Sequence, residues 1–327
     1  VRLDQIALGE THAQGELRLA GAGEPVQVSL SGSSLDLSGR FARRAQAAPA
    51  PIPPSAEESD LPWAADLRFD RVLLGGGRML AAVSAKAESD GHAVRQAQIA
   101  GRAGRADQFT VAIEPVDSAR QRRLAVRADD AGALLGAFDI LSTIQGGSLA
   151  LSGTYDDRAP GHPLSGTAEI TEFRVREAPA ATRILQAMTL YGLIAALRGP
   201  GLGFSRLVAP FRLTDDVLEL DDARAFSPSL GFTARGWIDL ARRAADVRGT
   251  IVPAYFFNSL LGNIPLIGRM LSPEKGGGIF AATYSVKGPL DDPAVSVNPL
   301  AALAPGFLRG LFGIFQRPAA APSSARQ

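Results

Sequence analysis

From Gly15 to Arg40 the chain sets an apolar side chain at nearly every second position, in GELRLAG (15–21), VQVSLSG (26–32) and LDLSGR (35–40). Period-two alternation turns one face of a strand toward a core and the other toward water. The pattern returns in DLRFDRVLL (66–74), MLAAVSAKAE (79–88), VRQAQIAG (94–101), FTVAIEP (109–115), RRLAVRAD (122–129), SLALSGTYDD (148–157) and LSGTAEITEFRV (164–175). It fills the block from Phe204 to Val252, where the hairpin FRLTDDVLELDDARAF (211–226) is plainest. Short runs ending in Gly or Asp read as antiparallel meanders, and the whole predicts roughly fifteen strands with three or four helices. DDAGALLGAF (129–138) predicts a short helix capped by Asp129 or Asp130. The expected fold is mainly β: a long, twisted antiparallel sheet forming an open groove, with a few apolar or amphipathic helices at its mouth.

Two kinds of segment break the alternation. Residues 42–62, ARRAQAAPAPIPPSAEESDLP, are rich in Pro and end in an acidic-serine run. They read as a disordered insertion between strands, from which 45–60 should be removable. Three apolar segments read as helices. The first, ATRILQAMTLYGLIAALR (181–198), has fourteen residues from Ile184 to Leu197 with only Gln186, Thr189 and Gly192 polar or small. Such a helix reaches about 21 Å, short of the ~30 Å bilayer core. The second, AYFFNSLLGNIPLIGRML (254–271), is split by Pro265. The third, PLAALAPGFLRGLFGIFQ (299–316), lines Phe307, Leu308, Leu311, Phe312 and Phe315 along one face, and three glycines lower its helix propensity in water. These boundaries divide the chain into a β-groove segment (1–178), a β/helix region (179–298) and an amphipathic helix with a flexible tail (299–327).

The chain has 327 residues, 46% hydrophobic and 20% charged, with net charge +1. That balance suits a folded protein and gives no bulk attraction to nucleic acid. No cysteine is present, which excludes disulfides, thiolate catalysis and Cys-based metal sites. Gly199, Gly201 and Gly203 follow a helix, so they read as a loop and not a phosphate cradle, which needs a strand, a Gly-rich loop and a helix in that order. The pairs Asp156–Asp157, Asp215–Asp216, Asp221–Asp222 and Asp291–Asp292 sit at predicted turns, where Asp bonds backbone amides. His12, His92 and His162 are isolated, and Trp63 and Trp237 read as core or rim aromatics. No nucleophile–base pair, metal set or cofactor motif stands out, so the reading is non-enzymatic, with no catalytic residue, metal or cofactor. The chain opens at Val1 with strand-like sequence and no leader, which reads as a piece of a longer protein.

An ordered series of structural motifs closes the chain. A strand ends in G-x-I-x-P (Gly249, Ile251, Pro253), and the apolar pair containing IPLIGRML follows. Next come a Y-x-V-x-G-x-L-x-D-P-x-V hairpin (Tyr284, Val286, Gly288, Leu290, Asp292, Pro293, Val295) and an NP-L lead (Asn298, Pro299, Leu300) into the last helix. Over 200–316 this series resembles the C-terminal region of AsmA-like proteins, chiefly YhdP-type members and more distantly TamB; over 1–199 the likeness is architectural. The resemblance implies a periplasmic part of an inner-membrane-anchored protein of the Gram-negative envelope. Its β-groove would shelter phospholipid acyl chains moving between the two membranes, and no catalytic residue carries over. The candidate lipid- or membrane-contacting residues are Ile184, Leu185 and Met188; Phe256, Phe257, Leu260, Leu261, Ile264, Leu266 and Ile267; and Phe307, Leu308, Arg309, Leu311, Phe312 and Phe315. The last group would dock on a membrane surface or an envelope protein. The alternative is a TamB-like scaffold for outer-membrane assembly with no bound lipid.

Each Phe or Leu of the third segment adds roughly 1.5–3 kcal/mol when fully buried, against about 1 kcal/mol for each arginine near anionic headgroups. Phe312→Asp with Leu308→Asp is therefore expected to abolish flotation with anionic liposomes and leave the β circular-dichroism signal intact. Wild-type flotation by the double variant would remove this helix as the docking element.

Overall fold

The computed structural model describes residues 1–19, 21, 24–41, 61–104, 107–116, 121–187, 198–228, 230–253 and 282–298. The strands are β1 (Arg2–Leu8), β2 (Thr11–Arg18), β3 (Val26–Asp36), β4 (Trp63–Gly75), β5 (Arg78–Ser89), β6 (Val94–Ala103), β7 (Asp107–Pro115) and β8 (Gln121–Ala128). They continue as β9 (Ile144–Asp156), β10 (Leu164–Val175), β11 (Leu202–Thr214), β12 (Val217–Phe226), β13 (Leu230–Asp239), β14 (Ala244–Pro253), β15 (Ala282–Pro289) and β16 (Ala294–Asn298). All sixteen form one sheet in sequence order. β1 and β16 do not pair with each other, so the sheet is open and not a barrel. It runs without a break past residue 178, because β10 and β11 pair along their length from Leu164–Leu213 to Val175–Leu202.

The helices are few: a turn at 38–41 (α1), α2 (Ala131–Ala137) and α3, described over Pro179–Ala187. Asp130 caps α2, its side chain accepting from the Ala133 amide at 2.8 Å. α2 lies close on β9 because Gly132 has no side chain; a Cβ there would stand 2.5 Å from the Ile144 carbonyl. The turn Asp215–Asp216 links β11 to β12 with φ of 47° and 64°, the signature of a type I′ hairpin. Asp221–Asp222 is not a turn: it lies within β12 at a bulge, where Asp222 has φ 60° and pairs with Arg224.

Two features depart from the expected antiparallel meander. α3 follows β10 but packs on β16. Arg183 of α3 bonds the Pro293 carbonyl and the Asp292 carboxylate. In a flat sheet β16 would lie six strand spacings, about 29 Å, from β10, whereas the backbone from Val175 to Arg183 reaches at most about 20 Å. The sheet therefore curls, and α3 lies inside the curl.

The second departure is that β3 and β4 run parallel, with Val26 opposite Trp63 and Asp36 opposite Leu73. A parallel pair needs a crossover, so the chain between them returns along ten residues of strand, about 33 Å. Its described ends mark that span: Leu37 bonds the Leu73 carbonyl at one end and Val26 bonds the Pro62 carbonyl at the other. Residues 42–60, which the sequence reads as a disordered insertion, lie outside the described residues. Deleting 45–60 would leave four Cα steps between Phe41 and Leu61, at most ~15 Å, short of that span. That deletion is expected to release β1–β3 from the sheet, read as fast amide exchange over Arg2–Asp36. Deleting 47–54 leaves a reach of ~40 Å and is expected to shift Tm by less than about 3 °C.

Candidate functional site: an apolar lane across the sheet

Side chains alternate along every strand, and register lines up one set into continuous rows. One row runs Leu30, Leu67, Ala85, Ile99, Val111, Val126, Leu151, Ala168 and Ala209 across β3–β11. The next runs Gly101, Phe109, Ala128, Leu149, Ile170, Leu207, Ala225, Phe232, Ile251 and Ala282 across β6–β15. Neither row contains a charged or hydrogen-bonding side chain. Together they form an apolar lane thirteen strands wide, about 58 Å measured along the sheet at ~4.8 Å per strand. The opposite face carries Glu16, Arg18, Asp66, Lys86, Gln98, Arg127, Glu169 and Arg206, as alternation requires.

The two sides of the lane are built differently. Toward the helices it is a packed core. Phe69, Phe109, Leu134, Ile170 and Phe173 are each under 5% exposed. Phe173 stacks on Phe204 at 5.2 Å, and Phe204 meets Phe232 edge-on at 5.6 Å. Away from the helices, Ile99, Val111, Val126 and Leu151 are only half-buried. Ile184 and Leu185, from the predicted contact set, belong to the packed side at 7% and 2% exposure. Met188, Phe256, Phe257, Leu260, Leu261, Ile264, Leu266, Ile267, Phe307, Leu308, Arg309, Leu311, Phe312 and Phe315 lie outside the described residues. No helix among the described residues is long and apolar enough to cross a membrane.

At the rim opposite the helices a buried ion network fastens the strands. Arg122 of β8 grips Asp157, just past β9, through Nε at 2.8 Å and Nη2 at 2.6 Å. It also donates to the Val94 carbonyl of β6 at 2.9 Å and lies over the Tyr155 ring at 4.2 Å. Arg95 adds a 2.8 Å bond to Asp157 and a second to Asp90. His162, expected to be isolated, places Nδ1 3.4 Å from Asp157, whose side chain is 2% exposed. Burial pushes the Asp157 carboxyl up, but the Arg122 hydrogen bonds and the Arg122 and Arg95 charges outweigh it and hold the carboxyl below its ordinary value. Asp90 is lowered to about 2 by the Ala93 and His92 amides and Arg95, against the opposing effect of burial. The Asp156–Asp157 pair thus divides: Asp156 accepts the Arg158 amide as a turn residue does, and Asp157 anchors the rim. Pattern held a clue. Arg122 and Asp157 both fall on the apolar phase of their strands, where a charge needs a buried partner.

A second cross-strand tie explains the tyrosine of the closing motif. Tyr284 lies across Gly249, where a Cβ would stand 2.9 Å from its hydroxyl. It donates to the Thr233 carbonyl of β13 at 2.7 Å. The Thr250 amide, opposite Thr233, bonds the Thr233 side chain at 3.2 Å. Among the described residues no three metal-ligating side chains come together.

Removing one partner of a buried ion pair costs about 3–5 kcal/mol. Arg122→Met is expected to lose that much in urea unfolding at pH 7. Depressed carboxyl pKa values stabilise the fold above the unfolded value of about 4, and the contribution drains away as pH falls toward 2. The stability of wild type is therefore expected to fall over that window, and Asp157→Asn to show a shallower fall. Compared with known protein families, curated proteins and solved structures, the chain matches none.

Proposed function

We propose that the lane shelters lipid acyl chains, making the chain a non-enzymatic lipid-handling groove of the Gram-negative envelope. The continuity of the two rows supports this reading: thirteen strands place no charge in the path of an extended hydrocarbon. Burial is worth about 0.8 kcal/mol per methylene, or roughly 12 kcal/mol for a sixteen-carbon chain. Such a chain crosses an aqueous gap only on a surface that supplies most of that shelter. The half-buried side, around Ile99, Val111, Val126 and Leu151, is where the hydrocarbon would lie. The AsmA-like resemblance of residues 200–316 points the same way and adds a periplasmic setting, an anchor in the inner membrane and a docking role for the last apolar segment.

The packed side of the lane favours a second reading. There α2 and the Phe173–Phe204–Phe232 series already fill the curl, as a scaffold for outer-membrane assembly with no lipid would require. Solvent extraction of the purified chain followed by mass spectrometry separates the two. The lipid reading expects phospholipid near stoichiometric amounts, and Val126→Arg is expected to lower the lipid-to-protein ratio at least fivefold, well within the cost of burying a charge in apolar surroundings. A lipid-free wild type would leave the scaffold.

A further inference from the structure

The polar face of the sheet carries a feature that the lipid reading does not use. Arg235 of β13 stands directly opposite Arg248 of β14, and both are exposed. Directly opposed residues hold their Cβ atoms about 4.5–5.5 Å apart, and like charges so placed repel. Neither forms an ion pair among the described residues, although Glu219 and Asp221 share a neighbouring depression with Arg235. Asp222 is held by Arg224 at 2.9 Å and Asp246 by Lys287 at 3.0 Å. The row continues with two hydroxyls, because Arg248 opposes Ser285 and Ser285 opposes Ser296. The next row adds Thr250 and Thr283. These side chains line a depression of about 520 Å3 bordered by three arginines, one aspartate and five serines and threonines.

We propose that this depression binds a phosphate-type oxyanion between Arg235 and Arg248. Two planar guanidinium forks on adjacent strands match the oxygens of a phosphate ester, and their repulsion turns into attraction once an anion lies between them. Ser285, beside Arg248, donates to an oxygen the arginines leave free. The ligand is a phosphate monoester or diester, free in solution or displayed as a lipid headgroup. The site lies on the face opposite the apolar lane and stands whether or not the lane carries lipid.

The test uses the full chain in chloride buffer at fixed ionic strength. Calorimetric titration with inorganic phosphate and with glycerol 3-phosphate reads the free ligand; co-sedimentation with phosphatidylglycerol vesicles, against phosphatidylcholine vesicles, reads the headgroup. Wild type is expected to bind saturably by at least one route. Arg235→Gln and Arg248→Gln are each expected to weaken that binding at least tenfold, while Arg123→Gln, exposed on the polar face of β8, leaves it unchanged. Thermal unfolding in chloride checks that the variants fold, and removing one of the opposed charges is expected to leave Tm equal or higher. Binding in solution alone assigns a free phosphate ester, and binding to anionic vesicles that needs both arginines assigns a headgroup. Absence of saturable binding by either route, or binding that survives both substitutions, overturns the proposal.

Discussion

Cross-strand register holds this molecule together and gives it its character. Each strand sends alternate side chains to one face, and each ladder sets like beside like, so Ile99 meets Val111, Val111 meets Val126 and Val126 meets Leu151. A one-residue slip anywhere would turn an apolar set into water and break the lane. The arrangement therefore depends on devices that fix register. The type I′ turn at Asp215–Asp216 and the bulge at Asp222 do this locally. Bulges also let a strand change phase without losing its place, as where β12 carries both the Leu218–Leu220 and the Ala223–Ala225 pairs onto the apolar face.

An open sheet with one apolar face must still be held in its curl. Three ties do so in different currencies. α2 and α3 pack on one side of the lane, and α3 joins β10 to the far edge strand β16. The Arg122–Asp157 network binds β6, β8 and the end of β9 on the other side. Tyr284 spans β15 to β13 across Gly249. Charged ties inside an apolar face are costly unless paired, and here the Arg122–Asp157 network sits at the rim, which leaves the centre of the lane free of charge.

The two faces divide the work. On the proposed reading, the apolar face offers hydrocarbon an area without direction. The polar face offers discrete groups at fixed spacing, the Arg235–Arg248 pair above all, suited to one charged shape. A sheet with period two separates these two chemistries by the thickness of a single strand.

The sequence alone determined what is local. Alternation marked nearly every strand, because the period is written into neighbouring residues. The helix cap, narrowed to Asp129 or Asp130, and the Asp215–Asp216 turn were legible for the same reason: each is satisfied within a few residues of itself. What depends on distant partners was decided only by the tertiary structure. Nothing near residues 26–36 says that β4 lies parallel to them, since that pairing joins segments the sequence sets apart. Asp157 looked like a turn residue until folding brought Arg122, thirty-five positions away, against it. Arg122 and Asp157 continue the apolar phase of β8 and β9, but alternation alone does not show that a charge at a strand end is buried. The apolar lane was half legible: each strand declared its face, but its length and continuity came from register, which joins strands that the sequence lists separately.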